Sequence, residues 1–406
     1  MRIPLASSGL REIDIQAAID VLNSGNLTMG SQVKNFENCM AHYLGVKHFI
    51  MMNSGSSANL AMIEALLRPA KSKPHLTFGD KILVPAIAWP TTIWPIIQLG
   101  LEPIFVDVNP LTLALDLEKA QAVIDLFDGK IRGIFPIHPL GYSMSPSALE
   151  IFIEKNNLVL INDVCESLGS WREGKHAGTS GTAGSFSFYF SHHITTMEGG
   201  GVATNDSNFA DDLRSIRSHG WSRDRSDVAE WRTGVSNNDA KFLFVSTGYN
   251  VRPLEIQAAI GISQIRDIDV FIGKRRAIAQ AVGNQIAGTC LELIGIGNLE
   301  QGSDQNGHSW MLLPLRVVGP NAAQIKKKIV AALENLEIET RPVLTGNFLA
   351  QPAMKTIGHN NQKPEDFPIA TMITETAFMV GAHHDLTSEQ IQFLCETLER
   401  IAIEFA

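Results

Sequence analysis

The chain has 406 residues, of which 45% are hydrophobic and 18% charged, and its formal net charge is −9 at pH 7. This composition excludes a mainly disordered chain, and the length predicts two domains. The negative charge excludes a broad basic surface, so nucleic acid is not an expected partner.

No segment predicts export or membrane insertion. Arg11, Glu12 and Asp14 follow the N-terminus closely, without the apolar stretch of a signal peptide. The most apolar stretch, residues 82–106, is interrupted by four prolines and does not predict a membrane span. The four cysteines lie far apart and form no C-x-x-C pair, which indicates neither disulfides nor a metal site. We therefore expect a cytoplasmic protein.

In the first part of the chain, short apolar runs alternate with helical patterns. A helix at 10–22 has an apolar stripe that includes Ile15, Ile19 and Leu22 and is suited to packing against a second domain. Strands are predicted at 48–52, 81–84, 103–106, 133–135, 158–161, 185–190 and 201–203, with helices at 57–67, 145–155 and 208–218. This alternation favours a mainly parallel sheet with helices on both faces.

After Pro253 the pattern changes. Helices are predicted at 254–271, 274–286, 321–333 and 388–403, with a strand at 309–317. We therefore predict an N-terminal segment and large domain over residues 1–270, and a smaller α+β domain over residues 271–406.

Residues 53–58, Asn-Ser-Gly-Ser-Ser-Ala, follow a predicted strand and open a predicted helix. Small residues there leave backbone N–H groups and hydroxyls free to bind an anion, and the helix dipole favours negative charge. A plain Ser/Gly turn that caps the helix is the competing interpretation.

Two further residues follow strands of the predicted sheet. Asp163 lies after strand 158–161, where ligands bind in such sheets, and an acid there keeps a pyridinium nitrogen protonated. Trp89 follows strand 81–84, where a flat aromatic ring stacks on a planar cofactor. Read alone, Asp163 is as well explained by capping a turn, and Trp89 by ordinary packing.

The segment 185–201 contains the adjacent pair His192 and His193 and ends in a glycine-rich turn. A lone histidine pair is more often structural, but the surrounding Ser, Thr and Gly residues favour a ligand loop. We interpret His138, His193, His383 and His384 as structural.

Together these motifs resemble the DegT/DnrJ/EryC1/StrS family of sugar aminotransferases, a branch of the fold-type I pyridoxal phosphate enzymes. The resemblance covers nearly the whole chain and includes residues 53–55, Asp163, Ser187, the Glu-Gly-Gly turn at 198–200, 248–253, 257–261 and 341–342. It implies an aspartate-aminotransferase-like α/β fold, with a mainly parallel seven-stranded sheet in the large domain and a smaller α+β C-terminal domain.

One position departs from the family pattern. The Schiff-base lysine of the family comes six residues before the glutamate of the Glu-Gly-Gly turn, and here that position, six before Glu198, is His192. Imidazole cannot form the covalent link of a lysine amine. The resemblance then implies that pyridoxamine phosphate, which becomes pyridoxal phosphate, is held without a covalent bond.

Histidine at this position resembles the sugar 3-dehydratases of the family, which remove a hydroxyl instead of transferring an amine. One kind carries an iron–sulfur cluster, but the segment after His219 has no cysteine, and four dispersed thiols make such a cluster implausible. The resemblance is therefore to the cluster-free kind, whose substrate is GDP-linked 4-keto-6-deoxymannose.

The resemblance also implies roles for individual residues. His192 is the acid and base, and an unperturbed pKa of ~6.5 suits this at neutral pH. Implied cofactor contacts are Gly55, Ser56 and Ser187 to the phosphate, Trp89 to the ring face, Asp163 to the pyridine nitrogen, Glu166 to the 3-hydroxyl or a water, and Asn250 to the phosphate in the neighbouring subunit of a homodimer. His219, Arg223 and Arg341 are candidates for substrate contact, with a solvated surface role as the competing interpretation of each; an arginine would match a diphosphate by bidentate bonding. L-glutamate is the implied amino donor.

Several alternatives stay open at this point. An aminotransferase that uses another lysine, Lys175 or Lys241, fits the same scaffold. A non-catalytic regulator that binds pyridoxal phosphate would also lack the lysine. CDP, dTDP or UDP can replace GDP as the nucleotide.

Overall fold

A computed structural model describes residues 1–71, 75–127, 130–295, 307–357 and 361–406. The helices of the described residues are α1 (Glu12–Ser24), α2 (Ser31–Leu44), α3 (Gly55–Leu67), α4 (Pro90–Gln98), α5 (Leu117–Phe127), α6 (Pro146–Asn156), α7 (Ser207–Ile216), α8 (Val228–Trp231), α9 (Glu255–Ile265), α10 (Ile268–Gln285), α11 (Ala322–Asn335), α12 (Pro352–Ile357), α13 (Pro368–Thr376) and α14 (Ser388–Phe405). In this part of the chain, every helix is too short or too polar to cross a membrane.

The strands are β1 (His48–Met52), β2 (Lys81–Pro85), β3 (Glu102–Val106), β4 (Ile131–Ile134), β5 (Val159–Asp163), β6 (Trp171–Arg172), β7 (Lys175–His176), β8 (Ala183–Ser187), β9 (Gly200–Thr204), β10 (Leu291–Leu293), β11 (Leu312–Val317), β12 (Thr340–Arg341) and β13 (Ala377–Gly381). Seven of them form one sheet in the order β1-β9-β8-β5-β4-β2-β3. Only β9 runs antiparallel to its neighbours β8 and β1, so the predicted mainly parallel sheet is confirmed.

Local sequence signals set several of these elements. Ser145 caps the start of α6 by accepting a hydrogen bond from the N–H of Ala148, and Pro146 takes the first helical position. Asn157 ends α6 in the left-handed conformation. The chain then enters β5, whose buried residues lead directly to Asp163 at the carboxyl end of the strand. A ligand-binding position in the sheet thus follows from an ordinary helix-to-strand connection.

A second, antiparallel sheet has the order β10-β11-β13-β12. Its core includes Leu313, Phe378 and Leu398, and Ile3 from the N-terminus joins the same cluster. This is the smaller α+β part that the sequence predicts, although only β11 was foreseen among its strands. The division at residue 270 stays a prediction, and α10 runs across it.

Two predictions about helices were wrong. The helices predicted at 254–271 and 274–286 are instead α9 and the longer α10, with the break at residues 266–267. At this break the carboxylate of Asp267 forms an ion pair with Arg11 of the N-terminal segment.

The apolar stripe of α1 does not pack against the second sheet. Helix α1 packs against α9 instead. The side chains of Ile15, Ile19 and Leu22 are 49%, 41% and 56% exposed. The helix is anchored by the buried Asp14, which receives hydrogen bonds from Arg11 and Gln264, so polar contacts and not the stripe decide which way it faces.

Candidate active site

A cavity of about 670 Å³ lies at the carboxyl edge of the large sheet, next to the second sheet. The second sheet contributes Met311, Leu312, Arg341 and Met379 to its wall. Eight residues predicted from the sequence line it together, namely Gly55, Ser56, Trp89, Asp163, Glu166, Ser187, His192 and Arg341. Residues from five separate regions of the chain therefore meet in one site.

Asp163 is the most firmly held of these residues. Its side chain is 4% exposed, and its Oδ2 accepts hydrogen bonds from Asn59 Nδ2 at 2.8 Å and Thr92 Oγ1 at 2.7 Å. Its Oδ1 accepts one from the N–H of Cys165 at 3.1 Å. Three donors fix the carboxylate at the base of the cavity, so it does more than cap a turn.

The N-terminus of α3 opens into the same cavity. Ser54 caps the helix by accepting from the N–H of Ser57, and the wall continues through Gly55 and Ser56. A Cβ on Gly55 would lie 2.7 Å from the Cβ of Ser187, so only glycine fits against β8. Such close packing at a helix N-terminus leaves main-chain N–H groups available for an anion.

Trp89 precedes α4, whose first residue is Pro90. Its side chain is 52% exposed and lines the cavity, which excludes ordinary core packing. A large aromatic ring that is left open at a cavity wall is suited to stacking on a flat ligand.

His192 lies in the loop between β8 and β9. The loop is closed by hydrogen bonds from the N–H of Phe188 to the oxygen of Gly199 and from the N–H of His192 to the oxygen of Tyr189, each 2.9 Å. The rings of Tyr189 and His192 meet edge to face with centroids 6.0 Å apart. The imidazole is thereby held at the cavity wall.

The environment of His192 changes its acid–base chemistry. Burial, and then the positive charge of Arg275, lower the pKa of the imidazole to about 4. The sequence alone suggested a value near the unperturbed ~6.5. At neutral pH the ring is therefore unprotonated and available as a base.

Glu166 lines the cavity directly after Cys165, the residue whose N–H donates to Asp163. Its Oε2 accepts a hydrogen bond of 3.0 Å from the N–H of Leu140. Burial raises the pKa of this carboxyl to about 7, so it exchanges a proton near neutral pH.

Three predicted site residues lie outside the cavity of their own chain. Asn250 and His219 are exposed near each other, because Ser218 forms a β-bridge with Asn250. The guanidinium of Arg223 lies 4.1 Å from the ring centre of Trp221 and forms an ion pair with Asp224. The described structure of one chain does not bring these three residues to His192.

Lysine is missing from the wall of the cavity among the described residues. The two lysines considered as alternative anchors lie elsewhere. Lys175 forms an ion pair of 2.6 Å with Glu150, and Lys241 is exposed in a 3-10 turn. Metal ligation has no support in the described ranges either, since no three His, Cys, Asp or Glu side chains converge there.

Sequence reasoning missed the residues that support the site from behind. Asn59 and Thr92 hold Asp163, and Arg275 contacts the loop of His192. No local motif marks them. Asn59 and Thr92 each follow a motif that was singled out, residues 53–58 and Trp89, and this proximity is the one signal that was available.

Comparison with known proteins agrees with this geometry. The DegT/DnrJ/EryC1/StrS aminotransferase family model matches residues 9–399. GDP-4-keto-6-deoxy-D-mannose 3-dehydratase of Yersinia pseudotuberculosis is 35% identical, over 98% of this chain and 99% of its own length.

Two solved structures resemble the fold throughout. A histidine-to-asparagine variant of GDP-4-keto-6-deoxymannose-3-dehydratase with bound GDP-perosamine has a TM-score of 0.89 at 33% identity, covering 98% of this chain and 100% of that chain. The same enzyme with a trapped PLP-glutamate geminal diamine has a TM-score of 0.87 at 34% identity, with the same coverage. The fold-type I architecture and the resemblance inferred from the sequence are both confirmed, and the chain belongs to the DegT/DnrJ/EryC1/StrS aminotransferase family.

Proposed function

We propose that this protein is a lyase that depends on pyridoxamine phosphate and removes the C3 hydroxyl of a nucleotide-linked 4-keto-6-deoxy sugar. The observation that carries the proposal is His192 at the wall of the cavity, which no lysine lines among the described residues. An imidazole cannot anchor the cofactor covalently but can move protons. Dehydration requires proton transfer at this position and no covalent link between the protein and the cofactor.

The cavity fits a phosphorylated pyridine cofactor. Gly55, Ser56 and Ser187 bind the phosphate at the N-terminus of α3, where a Cβ on Gly55 would fill the available space. Asp163 binds the pyridine nitrogen and Trp89 stacks on the ring. Pyridoxamine phosphate, when bound, supplies an amine for the sugar ketone and a ring that withdraws electrons while the hydroxyl leaves.

His192 carries the proton. Its Nδ1 is buried without a hydrogen-bond partner, so we assign the transfer to Nε2 on the side of the cofactor cavity. Because the pKa is lowered to about 4, Nε2 is free to accept a proton at neutral pH. For the same reason the protonated ring releases that proton readily, which suits the departing C3 hydroxyl.

Glu166 has a different task. With a pKa raised to about 7 it holds a proton part of the time at neutral pH, and it lines the same cavity. It contacts the 3-hydroxyl of the cofactor ring or positions the water that releases the product.

The substrate is a nucleotide-linked keto sugar, with GDP-4-keto-6-deoxymannose as the first candidate. The relatives support this, since the named activity of one and the bound GDP-perosamine of another share that nucleotide. Arg341 lines the cavity and is exposed, so its guanidinium is available to a diphosphate. L-glutamate restores the amine of the cofactor, as the glutamate adduct of the second solved relative suggests.

The working unit is a homodimer in the cytoplasm. Asn250, His219 and Arg223 lie outside the cavity of their own chain. In a dimer they contact the cavity of the second copy. Asn250 then contacts the cofactor phosphate of the neighbouring subunit, while His219 and Arg223 contact its substrate.

A direct test incubates the purified protein with pyridoxamine phosphate and a panel of GDP-, CDP-, dTDP- and UDP-linked 4-keto-6-deoxy sugars. We expect ammonia release, and a product in which deoxygenation replaces one C–OH by C–H at C3. The His192→Asn variant should bind the cofactor but release no ammonia. An amino sugar formed with glutamate, or a lysine joined to the cofactor after borohydride treatment, would show an aminotransferase instead.

A further inference from the structure

A second, small cavity lies behind His192, on the side away from the sheet edge. Its wall includes His192, His193, Arg275, His383 and His384. Its volume is about 10 Å³, which is close to the least that holds one water molecule. His192 thus separates this cavity from the cofactor cavity, since it lines both.

The wall of this second cavity is unusually polar for its burial. Nδ1 of His192, of His193 and of His384 and Nε of Arg275 are all buried, and none of them has a hydrogen-bond partner among the described residues. Such groups are rare inside proteins and indicate a role or a bound water. No acidic side chain lines the cavity in the described part of the chain.

Arg275 is the one permanent charge at this wall. It is 2% exposed, and its Nη1 donates to the main-chain oxygen of Met311 at 2.8 Å. Its Nη2 donates to the main-chain oxygen of His192 at 3.3 Å. Burial lowers its pKa to about 10, so it remains charged at neutral pH.

Arg275 is buried and forms no ion pair among the described residues; the acid that acts on it is Asp385, whose charge raises its pKa against the larger lowering by burial. Its main-chain contacts join helix α10, the loop of His192 and the segment that enters β11. The guanidinium holds the main-chain oxygen of His192, and its charge acts on the rings of His192 and His193.

We propose that Arg275 is a positioning residue of the reaction, which fixes the main chain of His192 through its Nη2 and places a permanent positive charge beside the loop that carries the imidazole. The proposal rests on the proposed role of His192 and adds Arg275 as the residue that positions the loop of His192. A like charge nearby disfavours protonation of an imidazole.

The other ionisable groups around His192 do not replace Arg275. They are Tyr189 and His193 from its own loop, His383, His384 and Asp385 from the segment after β13, and Asp163, Glu166, Glu198 and Arg341 from the cofactor cavity. After burial, Arg275 is the cause that lowers the pKa of His192. His193 and His384 have lowered pKa values themselves and stay neutral at neutral pH.

The test measures the imidazole directly in the cofactor-free protein. Histidine labelled with carbon-13 is incorporated, and the His192 resonance is assigned by its loss in His192→Asn. In the wild type we expect the shift of a neutral ring from pH 8 down to about pH 5. In Arg275→Met we expect the pKa to rise by about one unit, since that is the usual effect of one nearby charge.

Two further variants separate charge from packing. Arg275→Lys keeps the charge and should leave the pKa of His192 near its wild-type value. Arg275→Gln keeps a hydrogen-bond donor without the charge, should fold where the methionine variant fails, and should raise the pKa as methionine does.

The matched control is Arg276→Met. Arg276 is adjacent in sequence and donates to the main-chain oxygen of His308 at 2.8 Å, but it does not line the cavity. The proposal is overturned if Arg275→Gln leaves the pKa of His192 unchanged, or if Arg276→Met raises it equally. These outcomes are measured on the His192 resonance and not on dehydratase activity, so a failure of this inference is distinguishable from a failure of the proposed function.

Discussion

The hydroxyl of Thr92 donates a hydrogen bond of 2.7 Å to Oδ2 of Asp163, across 71 residues of sequence. The bond ties the first turn of α4 to the end of β5. Because Trp89 stands just before the same helix, this contact links the two side chains for which we propose ring stacking and binding of the pyridine nitrogen.

Removing this bond should weaken cofactor binding. Thr92→Val keeps the shape but loses the donor, and a hydrogen bond to a charged group contributes about 1.5–3 kcal/mol. We expect the dissociation constant for pyridoxal phosphate to rise about tenfold or more, measured by absorbance titration. Thr91→Val is the control, because the Thr91 side chain makes no bond to Asp163. Equal affinity in Thr92→Val and wild type would exclude this role.

Gly55→Ala should damage both the site and the fold. The added Cβ would lie 2.7 Å from Ser187 Cβ and 2.9 Å from Cys165 Sγ. Overpacking of this kind costs about 1–3 kcal/mol. We expect that loss in the free energy of unfolding by urea, together with weaker cofactor binding. Gly273→Ala adds a methyl group in open space within α10 and should instead be neutral or slightly stabilising.

The protein should lose stability as the pH falls from about 6.5 to about 4. Burial lowers the pKa of His138 and of His176 to about 4 in the folded state. The unfolded chain, with a pKa of ~6.5, binds protons first, so unfolding gains about 2 kcal/mol per histidine at pH 5. Urea unfolding at pH 7.5 and pH 5 measures the difference.

A single variant shows how much of this pH dependence of stability comes from His138. His138→Gln should reduce the pH dependence by about the contribution of one histidine, ~2 kcal/mol. His42→Gln, at an exposed position, should leave it as in the wild type. The same slope in His138→Gln and wild type would contradict the assignment.

The raised pKa of Glu166 predicts a pH dependence of stability with the opposite sign. Its pKa is raised to about 7 by burial, so its contribution to stability is full below pH ~4.5 and is lost as the pH rises through 7. Glu166→Gln cannot ionise and should raise the free energy of unfolding of the cofactor-free protein by about 3 kcal/mol at pH 8, but not at pH 4.5. Exposed Glu118→Gln is the comparison. No gain at pH 8 would argue against a raised pKa.

Mixed dimers test whether Asn250 acts on the neighbouring subunit. His192→Asn and Asn250→Ala should each be inactive alone. When the two chains are co-expressed, a mixed dimer has one site with both residues intact, so about half of the wild-type activity per dimer should return. If Asn250 serves its own chain, every site in the mixed dimer is defective and no activity returns.

The sequence located much of the site because its motifs are local. Asp163 follows a buried strand, and Gly55 opens a helix after another, so each position at the sheet edge is set within a few residues. The predicted strands of the large sheet therefore lie close to the observed ones. The strands β12 and β13 pair across more than thirty residues and carry no such local pattern.

The break between α9 and α10 shows a second limit. Helical periodicity continues through residues 254–271, but Arg11, from the other end of the chain, pairs with Asp267 where α10 begins. Propensity alone does not reveal such a partner, because it is a property of the folded contacts.

The sequence by itself determined that imidazole, not an amine, stands at residue 192, and so which covalent chemistry is excluded. Only the tertiary structure decided that this imidazole is neutral at the pH where it works. The reason is physical: a ring's proton affinity depends on burial and on charge nearby, and the charge here comes from Arg275, 83 residues further along the chain.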